Sequence, residues 1–277
     1  MTGSHGFVGS NLIESMALDY EIIRWEVRED KPLPECDAVI HLAGIAHDTY
    51  HTTEAEKYFE VNTELTKRIY DRFLESSTKK FIFFSSIKAQ DGDTAYARSK
   101  YLAEQYIKEV GTEEESHRVY ILRPCMIHGK GNKGNLNLLV KWVKKGLPWP
   151  LAAFENKRSY ASMGNVSYVV EQLLLKNAES GIYEVCDDES ISTKELIEII
   201  GGCMGKDIKM IRVPQNVMGV VARVGGWLQL PLNTERLRKL TEDYIVDNSK
   251  IKKALGIDNM PIEAKEGLRL SIQSMLK

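Results

Sequence analysis

The 277-residue chain predicts a doubly wound α/β fold, a parallel sheet with helices on both faces, joined to a smaller C-terminal lobe. Three observations carry this prediction. Short β-branched and aromatic runs alternate with helical stretches through the first half, the pattern of strands joined by helical crossovers. A glycine-rich loop, Thr2-Gly3-Ser4-His5-Gly6-Phe7-Val8-Gly9, opens directly into a helix. After Pro124 the texture changes, with Gly129, Gly131, Gly134, Gly146, Pro148 and Pro150 crowding a segment that holds one helical stretch.

Taken in order, Ser10 to Leu18 predicts a helix with Leu12, Ile13 and Met16 on one side, and Glu21 to Trp25 predicts a short strand. Asp37 to Leu42 is an apolar run closed by Ala43-Gly44, as expected of a strand buried on both faces. Glu54 to Ser76 predicts a long amphipathic helix, Lys79 to Phe84 a strand ending at Ser85-Ser86, and Tyr96 to Val110 another helix. Arg118 to Leu122 is a further strand, stopped by Arg123-Pro124. In the second half Leu136 to Lys145 reads as a helix, and Gly181 to Val185 as a strand returning to the sheet. Ser192 and Glu195 have the spacing of a capping box. Val217 to Leu230 is apolar but interrupted by Arg223, Gly225 and Gly226, so it reads as a core or lobe-packing helix rather than a membrane anchor. Trp142, Trp149 and Trp227 are expected to pack this lobe.

Only Met1 precedes the glycine loop, where a doubly wound sheet has its central strand. The first strand is therefore expected to be missing, implying either an upstream start or weak cofactor binding.

Composition excludes several classes. Lys and Arg number 37 against 39 Asp and Glu, a formal charge of −2 with no bias toward nucleic acid or an acidic membrane. Cys36, Cys125, Cys186 and Cys203 form no CxxC pair or His/Cys cluster, so neither a metal site nor a disulfide framework is expected. No apolar run approaches the ~20 residues that cross a bilayer, and cytoplasm is the expected location.

The chemistry-bearing residues fall in two groups. Glycines at 3, 6 and 9 let the backbone turn tightly and bring free helix N–H groups to a pyrophosphate. Glu26, near the end of the next predicted strand, is a candidate for the ribose hydroxyls, whereas Arg24 or Arg28 would favour a 2′-phosphate. NAD and NADP both stay open. Farther on, Ser85-Ser86 ends a buried strand, and Tyr96 and Lys100 lie four apart on one helical face. An ammonium beside a phenol favours the phenolate and lowers its pKa, and Ser86 can donate to a substrate oxygen.

With both groups in order along the chain, the sequence resembles the extended short-chain dehydrogenase family of NAD-dependent nucleotide-sugar epimerases and dehydratases. Thr2 to Gly9 resembles the family's Thr-Gly-x-x-Gly-Phe-x-Gly loop, His41 to Gly44 its His-Leu-Ala-Ala strand end, and Arg123-Pro124 its Arg-Pro turn. The resemblance implies a Rossmann-type domain over 1–128 and a substrate lobe over 129–277, with 165–186 returning to the sheet. It further implies catalysis by Ser86, Tyr96 and Lys100, with cofactor contacts from Gly3, His5, Gly6, Phe7, Val8, Glu26, Leu42, Ala43, Gly44, Asn62, Tyr96 and Lys100. Asn135 and Arg158 match positions that grip a nucleotide diphosphate, and no metal is implied. A narrower likeness points to enzymes acting at C4 of UDP-linked N-acetylated 6-deoxy sugars for surface polysaccharide, and to a homodimer through the 54–76 and 96–110 helices. The connection Ile87 to Ala95 is shorter than is usual in the family. The competing reading is a non-catalytic, degenerate nucleotide-binding relative.

Overall fold

The computed structural model describes residues 1–27, 32–45, 53–90, 92–112, 116–132, 134, 136–228 and 232–277. The expectations placed on Arg28 and Asn135 lie outside the described residues. In chain order the elements are α1 (Phe7–Met16), β1 (Ala38–His41), α2 (Ala55–Tyr58), a π-helical stretch (Phe59–Glu64), α3 (Leu65–Leu74), β2 (Lys80–Phe84), a 3-10 turn (Ile87–Gln90), α4 (Ala95–Val110) and β3 (Arg118–Pro124). They continue with β4 (Met126–His128), α5 (Leu136–Lys144), β5 (Tyr160–Ser162), α6 (Met163–Leu175), β6 (Gly181–Val185), α7 (Thr193–Cys203), α8 (Gln215–Trp227), α9 (Thr234–Thr241), α10 (Ser249–Leu255) and α11 (Ala264–Leu276).

The chain divides into two compact units. The first comprises Met1–Cys125, Met163–Cys186 and Asp247–Pro261. Its sheet has the order β1-β2-β3-β6, every pair parallel, with Val39 opposite Phe81, Ile82 opposite Tyr120, and Ile121 opposite Ile182. Parallel strands need crossovers, and the apolar runs of β1, β2 and β3 are continuous because both faces are covered. Val39, Phe81, Phe83, Val119 and Ile121 pack one face against Leu65, Ile69, Tyr70 and Phe73 of the 65–74 helix and Ala103 and Ile107 of α4. On the other face Lys80 reaches the C-terminal end of α6, donating to Leu173 O at 3.1 Å and Lys176 O at 2.9 Å. An ammonium there satisfies carbonyls that the helix itself leaves open.

The expected strand over Glu21–Trp25 does not form a ladder. This segment instead makes two hydrogen bonds to Met1, whose amino group donates to Ile23 O at 2.7 Å while Trp25 N donates to Met1 O at 2.9 Å. On its other side Thr2 N donates to Ile40 O at 3.0 Å. Met1 and Thr2 thus occupy the position between β1 and the 23–25 segment, which fixes where the glycine loop begins.

The second unit comprises Met126–Ser162, Asp187–Val246 and Ile262–Lys277. A two-stranded parallel β4–β5 sheet is packed by α5, α7, α8 and α11 around a core that includes Leu136, Val140, Tyr160, Leu196, Ile197, Ile200, Leu268 and Ile272. The capping box forms at α7, Ser192 Oγ accepting from Glu195 N at 3.0 Å. Trp149 is buried, edge-on to Trp142. Trp227 is not a packing residue: it is 84% exposed, because α8 turns only Met218, Ala222 and Gly225 inward.

Candidate active site

The glycine loop is shaped by close approach. Gly3 has φ +63°, and a Cβ there would stand 2.6 Å from Ala43 N; a Cβ on Gly9 would stand 2.5 Å from Gly3 O. No side chain larger than hydrogen fits at either position. Helix α1 then starts with Gly6 as its N-cap and no side chain capping it. Its first-turn N–H groups, those of Phe7 and Val8 among them, have no intrahelical acceptor, so this end favours an anion. His5 and Glu26 meet at the loop's rim, Nδ1 to Oε1 3.4 Å, both exposed.

A buried chain of hydroxyls ties this loop to the sheet. Thr2 Oγ1 accepts from Leu42 N at 3.2 Å and Ala43 N at 3.1 Å, so its own proton points to His41 Nδ1, 2.7 Å away. Thr66 Oγ1 donates to Asn62 O at 2.8 Å, which leaves it only an acceptor for His41 Nε2–H at 3.0 Å. Counting one proton per hydroxyl therefore assigns His41 as the neutral Nε2–H tautomer. Burial, reinforced by Lys100 and the N-terminal amino group, pushes the imidazole down to about 3, in agreement with that assignment.

Asn62 lies in the π-helical stretch, whose widened turn aims its side chain inward. Its amide holds residue 45 from both sides, accepting from Ile45 N at 2.8 Å and donating to Ile45 O at 3.1 Å, and it also donates to Ser99 Oγ at 3.1 Å. A Cβ on Gly44 would stand 2.9 Å from Asn62 Oδ1 and 3.3 Å from Lys100 Nζ. The segment Leu42-Ala43-Gly44 is thus clamped by Thr2 at one end and by Asn62 and Lys100 at the other. These features fit a dinucleotide: a bare helix N-terminus, backbone packed too closely for any Cβ, and an ammonium beside Gly44.

The three candidate catalytic residues converge at the carboxyl end of β2. Ser85 and Ser86 follow Phe84, while Thr94 caps α4 by accepting from Ala97 N at 3.1 Å. That cap sets the first turn so that Tyr96 points back to β2, where its hydroxyl hydrogen-bonds Ser86. The Tyr96 ring meets Tyr58 edge-on at 6.0 Å. One turn on, Lys100 is buried, its Nζ donating to Phe84 O at 2.8 Å and standing 4.8 Å from the centre of the Phe83 ring.

The electrostatics differ from the sequence expectation. Tyr96 is held above the ordinary phenol range, by burial first, with the Ser86 hydrogen bond opposing it and Tyr58 adding to it. Burial brings Lys100 down to about 8, with Glu104 opposing. The site as it stands therefore holds a protonated phenol, because burial outweighs any stabilisation of the phenolate and the Lys100 ammonium is directed at a carbonyl.

Glu104 was not singled out from the sequence as a site residue. It is fully buried, accepts from Ser85 Oγ, and takes Arg123 bidentately, with Nε to Oε1 at 2.9 Å and Nη2 to Oε2. The signal was available, since Tyr96, Lys100 and Glu104 share one helical face at spacings of four. In the second unit Arg158 is half-buried, with Nη1 donating to Glu242 O at 3.1 Å and the guanidinium 5.7 Å from the centre of the Tyr244 ring. His128 is buried there as expected of a packed histidine, with Nδ1 2.8 Å from Ser271 Oγ.

A UDP-glucose 4-epimerase of Vibrio cholerae is 28% identical, with all of this chain and 95% of the relative covered. An N-acetyl-alpha-D-glucosaminyl-diphospho-ditrans,octacis-undecaprenol 4-epimerase of Escherichia coli O157:H7 is 25% identical over 91% of this chain and 84% of its own. Among solved structures, the UDP-glucuronic acid 4-epimerase of Bacillus cereus in complex with NAD shares the fold, with a TM-score of 0.72 at 16% identity over 99% of this chain and 97% of that one. The family model described as NAD dependent epimerase/dehydratase matches residues 1–185. The chain belongs to the NAD dependent epimerase/dehydratase family and is an NAD-dependent enzyme of that class.

Proposed function

We propose that this enzyme acts at C4 of a UDP-linked sugar, as an epimerase or a 4-keto reductase, in making surface polysaccharide precursors. The observation that carries the reading is the Ser86–Tyr96 hydrogen bond, set one helical turn before a buried lysine and beside the clamped 42–44 segment. Both relatives reported above are named as 4-epimerases.

The nicotinamide, when bound, supplies the hydride acceptor and donor. Gly3, Gly6 and the α1 N-terminus, with Phe7 and Val8, would hold the pyrophosphate; Glu26 and His5 would serve the adenosine end; Leu42, Ala43, Gly44 and Asn62 would border the dinucleotide. Tyr96, having first lost its own proton to solvent, takes the proton from the sugar hydroxyl as it becomes a carbonyl; in the reverse direction the neutral phenol returns it. Ser86 Oγ, hydrogen-bonded to Tyr96, would donate to the substrate oxygen on which charge develops. Lys100, now donating to Phe84 O, is placed to hold a ribose hydroxyl of the cofactor, and its ammonium would lower the cost of forming the Tyr96 phenolate.

Arg158 and Asn135 bind the diphosphate, the arginine fork matching its oxygens. The domain boundaries follow the same reading, 1–128 for cofactor and 129–277 for substrate with 165–186 returning to the sheet. A homodimer packs through α4 and the 55–74 helical run, where Tyr101 and Leu102 are exposed. No helix among the described residues is long and apolar enough to cross a membrane, and the proposed location is the cytoplasm. The test is conversion of a panel of UDP-hexoses and their 4-keto derivatives with NAD or NADPH, read by the sugar product.

A second reading keeps the chemistry and changes the carrier: a sugar diphosphate on a polyprenol. The relative from Escherichia coli is named for such a substrate, and the exposed apolar face of α8 favours it here.

A further inference from the structure

Helix α8 has two apolar faces. Met218, Ala222 and Gly225 are buried in the second unit. Val217, Val220, Val221, Val224 and Trp227, followed by Leu228, are exposed by 46, 55, 47, 47, 84 and 54%. At 100° per residue these six positions lie within an arc of roughly 120°, a continuous stripe along the outside of the helix. Valine is a poorer helix former than lysine or glutamate, so local propensity gives no reason for four of them on a solvent face.

The charge pattern singles out the partner. From Ile208 through Thr234 the sequence holds no aspartate or glutamate, while Lys209, Arg212 and Arg223 are exposed. Arg223 borders the valine stripe and Trp227 closes its end. On the neighbouring α9, Lys239 pairs with Glu235 and Arg238 with Glu242 at the helix's C-cap, so those two cations are locally balanced, whereas the 208–234 stretch has no carboxylate of its own. An apolar stripe bordered by Arg223 and closed by tryptophan, on a helix whose lead-in segment exposes Lys209 and Arg212, matches the interface of an anionic bilayer, where valines enter the acyl boundary and guanidinium groups meet phosphate. A two-fold contact through this face would bring the exposed cations of two copies into one interface with no carboxylate of the 208–234 stretch to balance them.

We propose that the outer face of α8 docks the enzyme on an anionic lipid surface, with the helix lying in the plane of the membrane. Thirteen residues cannot span it, so the absence of a spanning helix among the described residues does not bear on this mode. The proposal rests on the surface of the second unit, and its test does not depend on the reaction assigned to the first.

The test is co-sedimentation of the full chain with vesicles of equal parts phosphatidylglycerol and phosphatidylcholine, and with phosphatidylcholine alone. Wild type is expected to pellet with the anionic vesicles, less so at high salt. Exposed positions tolerate substitution, so V220S/V224S/W227S should fold and keep turnover on a soluble UDP-sugar while losing vesicle binding about tenfold or more. K209Q/R212Q/R223Q should lose the preference for phosphatidylglycerol. The proposal is overturned if wild type stays in the supernatant, if the serine variant still pellets, or if the serine variant instead converts a dimer to a monomer, which would make the face a contact between copies.

Discussion

Thr2 and His41 are joined by a 2.7 Å hydrogen bond that spans 39 positions of sequence and fastens the glycine loop to the end of β1. The Thr2 hydroxyl uses all of its capacity, accepting two backbone N–H groups and donating one proton. Thr2→Val keeps the shape and removes all three bonds. Each buried partner left unmade costs about 1–3 kcal/mol, so a fall in stability of several kcal/mol and an NAD(P) affinity lowered about tenfold are expected. Thermal melts and cofactor titration check both.

His41 also sets an acid limit. Its folded-state pKa lies near 3 against an ordinary 6.5, so between these values the unfolded chain binds the extra proton. Stability then rises with pH from about 3 to about 6.5 and is lost on acidification through that window. In His41→Asn, denaturant midpoints measured across this range should show a flatter acid limb.

Lys100 acts in a different window with the same sign. Its pKa is brought from 10.5 to about 8, so from about 8 upward the unfolded chain carries the proton that the folded chain has released. Stability should increase with pH from about 8 until the buried tyrosines, whose pKa values are raised, begin to oppose it above about 10. Lys100→Met should abolish the rise, as read from denaturant midpoints.

Glu104→Gln removes the partner of a buried guanidinium. Arg123 has 13% of its side chain exposed and Glu104 none, so stability should fall by about 3 kcal/mol. Without the carboxylate Lys100 should move below about 8, and the limb of the kcat profile that reports it should shift toward acid. An unshifted limb would make Glu104 purely structural.

Arg158→Ala tests the diphosphate grip. Losing a charged hydrogen bond to phosphate should weaken UDP-sugar binding by about 1.5–3 kcal/mol while leaving cofactor affinity unchanged, as measured by calorimetry.

What could be read from the chain was mostly local. The 3, 6, 9 glycine spacing, the Tyr96–Lys100 interval and the Ser192–Glu195 box are encoded within a turn or two, and the structure displays the local geometry each implies. Asn62 was reached by family resemblance; the π-helical widening that aims it has no periodic signature. The Thr2–His41–Thr66 chain and the Glu104–Arg123 pair join distant segments, so no single window reveals them. Glu21–Trp25 has strand composition, and its pairing consists of two backbone hydrogen bonds to Met1 rather than a ladder, which its composition alone does not reveal. Trp227 was misread because apolar content counts residues without saying which face a helix turns inward.

Catalysis at C4 depends most directly on the proton carried at Tyr96. Proton NMR of the sugar H4 signal, recorded on UDP-hexoses and their 4-keto derivatives with cofactor present, should show inversion or reduction at C4 by the wild-type enzyme. With Tyr96→Phe, folded and still binding cofactor, the rate should fall by about 10²–10⁴-fold. An unchanged H4 signal with wild type across the panel, or a Tyr96→Phe rate above about half of wild type, would contradict it.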